Sequence, residues 1–288
     1  MELQLNNICH TYNNKVLSLN DVSVSFDTGI TGLLGVNGAG KSSLLNIMGT
    51  VAVPTQGSYT ADGTDALANP MAIRKRLGFL PQVAGLIPEL TPYRFLQYMG
   101  LLKGCSPTQL KVDIVNVLNY LNLLSAKDIP IKQLSGGMKQ RVGIAQAIIN
   151  QPSLLIMDEP MVGLDPNERN SFNHLIADIA KTATVVLSSH IIDDIENMCE
   201  NVVVLEAGMI KYKGPVSSLV HSVSGMVYED MLSRTELEAL SASNSIIRTK
   251  PMGEKVLVRY LSPQKTGISA VTPSLEDAFI YKTKYKTA

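Results

Sequence analysis

Alternation and runs of apolar residues divide this chain into strands and helices before any chemistry is considered. Apolar residues alternate at Leu3 and Leu5 and again at Val22, Val24 and Phe26, around the turn-prone Tyr12-Asn13-Asn14-Lys15, which predicts antiparallel strands. GITGLLG (29–35) reads as a short apolar strand and SSLLNIMGT (42–50) as a helix. GSYTADGTD (57–65) has strand-turn character, and KRLGFLPQ (75–82) ends as a strand ahead of Pro81-Gln82. From there to Asn150 the pattern turns helical. TPYRFLQYMGLLKG (91–104) and SPTQLKVDIVNVLNYLNLL (106–124) repeat apolar residues every three or four positions, with Thr91 and Ser106 as N-caps and proline at the first helical position. Leu110, Ile114, Val117, Leu118 and Leu121 make one core-facing stripe, and RVGIAQAIIN (141–150) is a further helix. The four apolar residues Leu154–Met157 predict a buried parallel strand, followed by a helix at 168–181 and a second apolar strand at 182–190. In the tail, GMVYEDML (225–232) and KVLVRYLS (255–262) read as strands, TELEALSA (235–242) as a short helix and RTKPMGEKV (248–256) as a hairpin turn. TPSLEDAFIYKTK (272–284) reads as a final helix capped by Thr272 or Ser274.

Chemistry gathers at the strand ends. GVNGAGKS (35–42) fits G-x-x-x-x-G-K-[ST] between a strand and a helix. A phosphate loop turns backbone N–H groups inward around an anion, a curvature suited to residues without a β-carbon, here Gly35, Gly38 and Gly40. Lys41 then places an ammonium against the β- and γ-phosphates, Ser42 offers a hydroxyl to Mg²⁺, and Asn37, Ala39 and Ser43 complete the loop. A plain Gly-rich turn is the alternative, against which the Lys-Ser pair and both flanking elements argue. Ligands of open α/β sheets lie beyond the strands' C-terminal ends, so Asp158 is placed to hold Mg²⁺ and Glu159 to polarise an attacking water. An acidic pair after an apolar strand is common by chance; beside a phosphate loop it acquires a use. His190, at a neighbouring strand tip, is placed to bond a γ-phosphate and orient the water, although a lone histidine is more often structural. Tyr12 either stacks on an adenine or covers a sheet edge.

The totals narrow the setting. A chain of 288 residues suits one large domain with an appendage or two ordinary domains. With 45% hydrophobic and 17% charged residues it is folded rather than disordered. Its 25 basic and 25 acidic residues cancel, so it lacks the electrostatic footprint of a nucleic-acid binder and no nucleic acid is expected as a partner. Cys9, Cys105 and Cys199 form no CxxC pair, suit a reducing compartment and read as buried small apolar residues. No apolar run approaches the ~20 residues needed to cross a bilayer. MELQLNN does not read as a signal peptide, so a cytosolic location is expected, with membrane association only through a partner.

LSGGMKQR (134–141), between the phosphate loop and the acidic strand, resembles the signature motif of ABC-type ATPases, a specific pattern in that order. Residues 1–215 are similar to that family throughout: Tyr12 stands at its adenine-stacking aromatic, Gln82 at the glutamine that senses metal and γ-phosphate, Asp158 and Glu159 at the Walker B pair, Asp165 in the D-loop and His190 at the switch histidine. The resemblance implies an α/β P-loop NTPase: a RecA-like parallel sheet core with an antiparallel β subdomain and a helical insertion at about 86–150, plus a small C-terminal α/β appendage over 216–288. It implies ATP and Mg²⁺ as cofactors, Ser42, Gln82 and Asp158 around the metal, and Lys41, Gln82, Glu159 and His190 as the catalytic machinery. It also implies a head-to-tail dimer in which Ser135, Gly136, Gly137 and Gln140 of one subunit face the nucleotide on the other subunit's phosphate loop. A homodimer with two active sites is expected, a heterodimer being the alternative. Met138 and Met161 depart from the usual pattern without removing a group the chemistry requires.

VTPSLEDAF (271–279) resembles the ending of ATPase subunits of ABC-2-type exporters. The resemblance implies a motor that drives a separate transmembrane permease at the cytoplasmic face of the membrane, exporting a drug, antimicrobial peptide, lipid or polysaccharide, or ion. An importer subunit and a soluble ABC ATPase are the alternatives. Soluble ribosome-acting members usually carry two cassettes and chromosome-type members a long coiled coil, whereas this chain has one phosphate loop, one signature and no sustained heptads between Lys41 and Asp158. VAGLIPELTPYRF (83–95), apolar and joined to Gln82, is expected to form part of a groove that receives a permease helix; otherwise Leu86, Ile87 and Phe95 are core.

Overall fold

The computed structural model describes residues 1–12, 16–242, 244–262 and 268–284. The chain forms two compact units, one of residues 1–190 and 205–210 and the other of 191–204 and 211–288.

In the first unit, β1 (Leu3–Tyr12) pairs antiparallel with β2 (Val16–Phe26), Leu3 opposite Phe26 and Leu5 opposite Val24, which gathers the alternating residues on one buried face. The turn expected at 13–15 lies outside the described residues. β3 (Gly29–Leu34) leads into α1 (Lys41–Met48). β4 (Gln56–Ala61) and β5 (Thr64–Asp65) extend the antiparallel sheet to the order β2-β1-β4-β5. After α2 (Pro70–Arg74) and β6 (Leu77–Leu80) comes the helical insertion, α3 (Pro92–Leu102), α4 (Pro107–Tyr120) and α5 (Gly136–Ile148). Thr91 caps α3 by accepting the Arg94 N–H at 3.3 Å. Ser106 makes no equivalent bond, so Pro107 alone marks the start of α4. Leu110, Ile114, Leu118 and Leu121 are buried as the stripe predicts, while Val117 at its margin is half-buried.

β7 (Leu154–Met157), α6 (Pro166–Ala180) and β8 (Thr184–Ser188) complete the core. β6, β7, β8 and β3 lie side by side in that order, all parallel. Every residue of β7 and β8 is buried, the reason their sequences read as continuous apolar runs. Register pairs Leu33 with Ser188 and Met157 with Leu187. The segments that follow β3, β7 and β8, carrying Lys41, Asp158 and His190, therefore leave from one edge of the sheet. The predicted P-loop α/β architecture is the observed one.

The second unit contains α7 (Ile192–Met198), most of β9 (Asn201–Glu206) and β10 (Met209–Pro215), and α8 (Val216–His221). Then follow β11 (Val227–Leu232), α9 (Arg234–Ser241), β12 (Ser245–Met252), β13 (Lys255–Leu261) and α10 (Leu275–Lys284). The antiparallel order β11-β13-β12 builds a small core from Tyr228, Val258 and Tyr260, covered by Leu237 and Leu240 of α9. The segment 248–256 is not wholly a turn: Arg248 to Met252 belong to β12, and the chain reverses at Gly253-Glu254. Pro251 is tolerated because β12 is an edge strand. Of the two candidate caps, Ser274 serves α10, its hydroxyl accepting the Asp277 N–H. Cys199 is buried, which pushes its thiol up to about 12, but Cys9 and Cys105 are only half-buried, and Cys9 Sγ accepts the Asp21 N–H.

Candidate functional site

The loop after β3 needs its glycines for two different reasons. Gly40 sits at φ 105°, and a β-carbon there would come within 2.5 Å of the Ser18 carbonyl oxygen. Gly35, by contrast, has no left-handed backbone; its β-carbon would meet the Leu205 carbonyl oxygen at 2.6 Å. Close approach, not curvature, explains Gly35. Gly40 precedes α1 without a side-chain capping bond, leaving the first-turn N–H groups in the arrangement that anion binding uses. Lys41 is buried and donates to the carbonyls of Gly35 at 2.7 Å and Val36 at 3.4 Å. Burial pushes its ammonium below the usual lysine range, opposed by the charges of Glu159 and Asp158.

The acids are fixed by β8. Ser188 Oγ donates to Asp158 Oδ1 at 2.5 Å and accepts the Glu159 N–H at 2.9 Å. Glu159 has φ 54°, a left-handed conformation that costs strain in a non-glycine residue and recurs at functional sites. Its Oε2 meets His190 Nδ1 at 2.5 Å and the His190 N–H at 3.3 Å. Tyr12, Asn37, Gly38, Ala39, Gly40, Lys41, Ser42, Ser43, Gln82, Asp158 and Glu159 all line one cleft of about 470 Å³. His190 reaches that cleft through Glu159 rather than as part of its wall. Ser188→Ala is expected to cost about 1–3 kcal/mol of stability, the range for stranding a buried acceptor, and to lower kcat. Denaturant titration and steady-state hydrolysis would check both.

The signature segment turns its side chains toward its own subunit. Ser135 caps α5 by accepting the Met138 N–H at 3.2 Å. At Gly137 a β-carbon would stand 2.8 Å from the Gly163 carbonyl oxygen. Gln140 Nε2 donates to the carbonyls of Pro160 at 3.0 Å and Glu159 at 3.5 Å, bracing the acidic turn from behind. None of Ser135, Gly136, Gly137 and Gln140 belongs to the walls of the phosphate-loop cleft. Asp165 forms a capping box with Glu168 at the start of α6, and Glu168 pairs with Arg141 at 2.9 Å. Met161 is buried in the core and Met138 is half-buried.

Residues 19–162 match the profile of the family described as ABC transporter. The chain belongs to the ABC transporter ATP-binding family. It is 32% identical over 210 residues to the ABC transporter ATP-binding protein NatA of Bacillus subtilis, covering 72% of this chain and 85% of that one. To the Nod factor export ATP-binding protein I of Rhizobium sp. (strain N33) it is 32% identical over 268 residues, covering 88% and 87%. A dimeric ATP-binding cassette bound to ADP and Pi in a post-hydrolysis state superposes with a TM-score of 0.67 at 26% identity, covering 74% of this chain and 98% of that one.

As an ABC ATPase the chain uses more residues than its motifs name. Ser188 holds both Asp158 and Glu159, yet in sequence it is only one residue of the strand read at 182–190. The available signal was a hydroxyl on a strand buried throughout, which requires a partner.

Proposed function

We propose that this ABC ATPase is the motor subunit of an exporter, closing as a head-to-tail homodimer on ATP and driving a separate permease from the cytoplasmic face of the membrane. The observation that carries the reading is the division of the machinery: Lys41, Asp158 and Glu159 share a cleft from which Ser135, Gly136 and Gly137 are absent, so a second copy is needed to bring them to the nucleotide. No described helix is long and apolar enough to cross a membrane, which agrees with attachment through a partner. Export is favoured by the similarity to the Nod factor export ATP-binding protein I.

In this reading Lys41 and the loop amides bind phosphates, Tyr12 stacks on the base, and Glu159 accepts the proton of the attacking water while His190 orients and stabilises it. Gln82 senses metal and γ-phosphate, and Asp165 belongs to the subunit interface. Ser42, Asp158 and Gln82 place oxygen donors in the same cleft, a set suited to Mg²⁺. Among the described residues no group of three or more His, Cys, Asp or Glu could hold a metal unaided, which fits an ion that shares its ligands with phosphate and water. When bound, Mg²⁺ would neutralise phosphate charge.

The permease site in this reading is an apolar groove of about 450 Å³, walled by Leu77, Phe79, Leu86, Phe95 and Met99. Ile87 is 36% exposed and lies outside those walls. Leu86→Asp is expected to abolish stimulation by the permease and leave basal hydrolysis unchanged; stimulation at the wild-type level would exclude the groove. The function as a whole is tested by measuring hydrolysis and ATP-dependent dimerisation of the purified chain, alone and reconstituted with a candidate permease. ATPase activity that no membrane partner binds or alters would favour a non-transport role.

A further inference from the structure

His10 stands two residues before Tyr12 on β1, opposite Leu19 of β2, and is 8% exposed. Among the described residues, neither ring nitrogen has a hydrogen-bond partner. Polar atoms buried in this way cost stability, and an apolar ring would avoid the cost. What the imidazole does touch is Tyr12: the ring centroids are 4.7 Å apart and the planes cross at 84°, the edge-to-face geometry in which aromatic rings attract. At its other end, the Tyr12 hydroxyl accepts a hydrogen bond from Ser43 Oγ, in the first turn of α1, at 3.2 Å. Tyr12 is 43% exposed, at the cleft, and its ring would otherwise be free to swing at the surface. Instead it is held from β1 through His10 and from the phosphate-loop helix through Ser43.

We propose that His10 is a positioning residue for nucleotide recognition: it sets the pose of the Tyr12 ring, so that affinity for the base depends on it while affinity for the phosphates does not. The inference rests on the reading of Tyr12 as the base-stacking aromatic. The phosphate-binding groups lie at 35–43, and the His10 imidazole bonds none of them. Loss of one edge-to-face contact should weaken binding of a stacked base by roughly three- to tenfold.

The test is calorimetric binding of Mg-ATP and of Mg-tripolyphosphate, which has no base, to the full chain and to His10→Ala, His10→Phe and Tyr12→Ala. His10→Ala should weaken ATP roughly three- to tenfold, leave tripolyphosphate unchanged and preserve kcat at saturating ATP. His10→Phe, which keeps the ring and drops the two buried nitrogens, should restore ATP affinity. If His10→Ala does not fold, His10→Leu takes its place. Equal weakening of both ligands, no recovery in His10→Phe, or unchanged ATP affinity in His10→Ala beside a weakened Tyr12→Ala would each overturn the positioning role. If Tyr12→Ala leaves the ratio of ATP to tripolyphosphate affinity unchanged, the stacking role of Tyr12 is what fails, and the role of His10 falls with it.

Discussion

Glu159→Gln should bind ATP, hold the dimer closed and lose turnover by about 10² to 10⁴-fold, the usual contribution of a general base. The substitution keeps the size of the side chain and removes only its capacity to take a proton. The turn at Glu159 is fixed by backbone rather than side-chain groups: its N–H lies on Ser188 Oγ, and the Pro160 carbonyl next to it is held by Gln140. An amide at 159 can still bond to His190, so ATP affinity and the geometry of Asp158 should survive. Size-exclusion chromatography with and without ATP, run beside a phosphate-release assay, separates closure from chemistry. Turnover at the wild-type rate would remove Glu159 from the base role, and loss of ATP binding would show that the substitution had disturbed the cleft itself.

Much of this arrangement is legible in the sequence because it follows from local pattern. A buried parallel strand is apolar along most of its length, so Leu154–Met157 and 182–190 declare themselves, and with them the positions of Asp158 and His190 beyond the strand ends. What is not legible depends on residues distant in the chain. Gly35 reads as a turn glycine, and only the fold brings Leu205 against it. Gln140 reads as part of a signature facing another subunit, and only the fold shows that its amide also spans 20 residues to Pro160 within its own chain. Thr91-Pro and Ser106-Pro are equivalent as strings, yet only Thr91 reaches its N3 amide, because capping depends on a side-chain torsion that sequence does not specify. The segment 248–256 reads wholly as a turn because strand order, which makes β12 an edge able to hold Pro251, is a property of the assembled sheet.

Arg259→Met should destabilise the second unit by about 3–5 kcal/mol, the cost of leaving a buried charge without its partner. Arg259, on β13, donates to both Asp277 carboxylate oxygens, at 2.9 and 2.6 Å, to Glu229 of β11 at 2.8 Å and to the Thr272 carbonyl at 2.8 Å. Asp277 is fully buried and in turn accepts the Ser274 N–H at the start of α10. The acidic part of the ending 271–279 is thus a latch between the small sheet and the last helix, whatever else that segment does. Burial pushes the Asp277 carboxyl up, but bonds from Arg259 and from the Ser274 N–H and hydroxyl outweigh it and hold it below its ordinary range. A carboxyl depressed in the folded state stabilises above its unfolded pKa of about 3.9 and loses that contribution as pH falls through the folded value. Protection against hydrogen exchange over 227–242, 244–262 and 268–284, taken relative to the intrinsic rate at each pH, should therefore fall in Arg259→Met at neutral pH and in the wild-type chain only below about pH 4. The double variant Arg259→Met, Asp277→Asn should recover part of the loss, since no bare carboxylate remains buried. If the double variant is as unstable as the two single losses added together, the two side chains act separately and the latch is not the source of the stability.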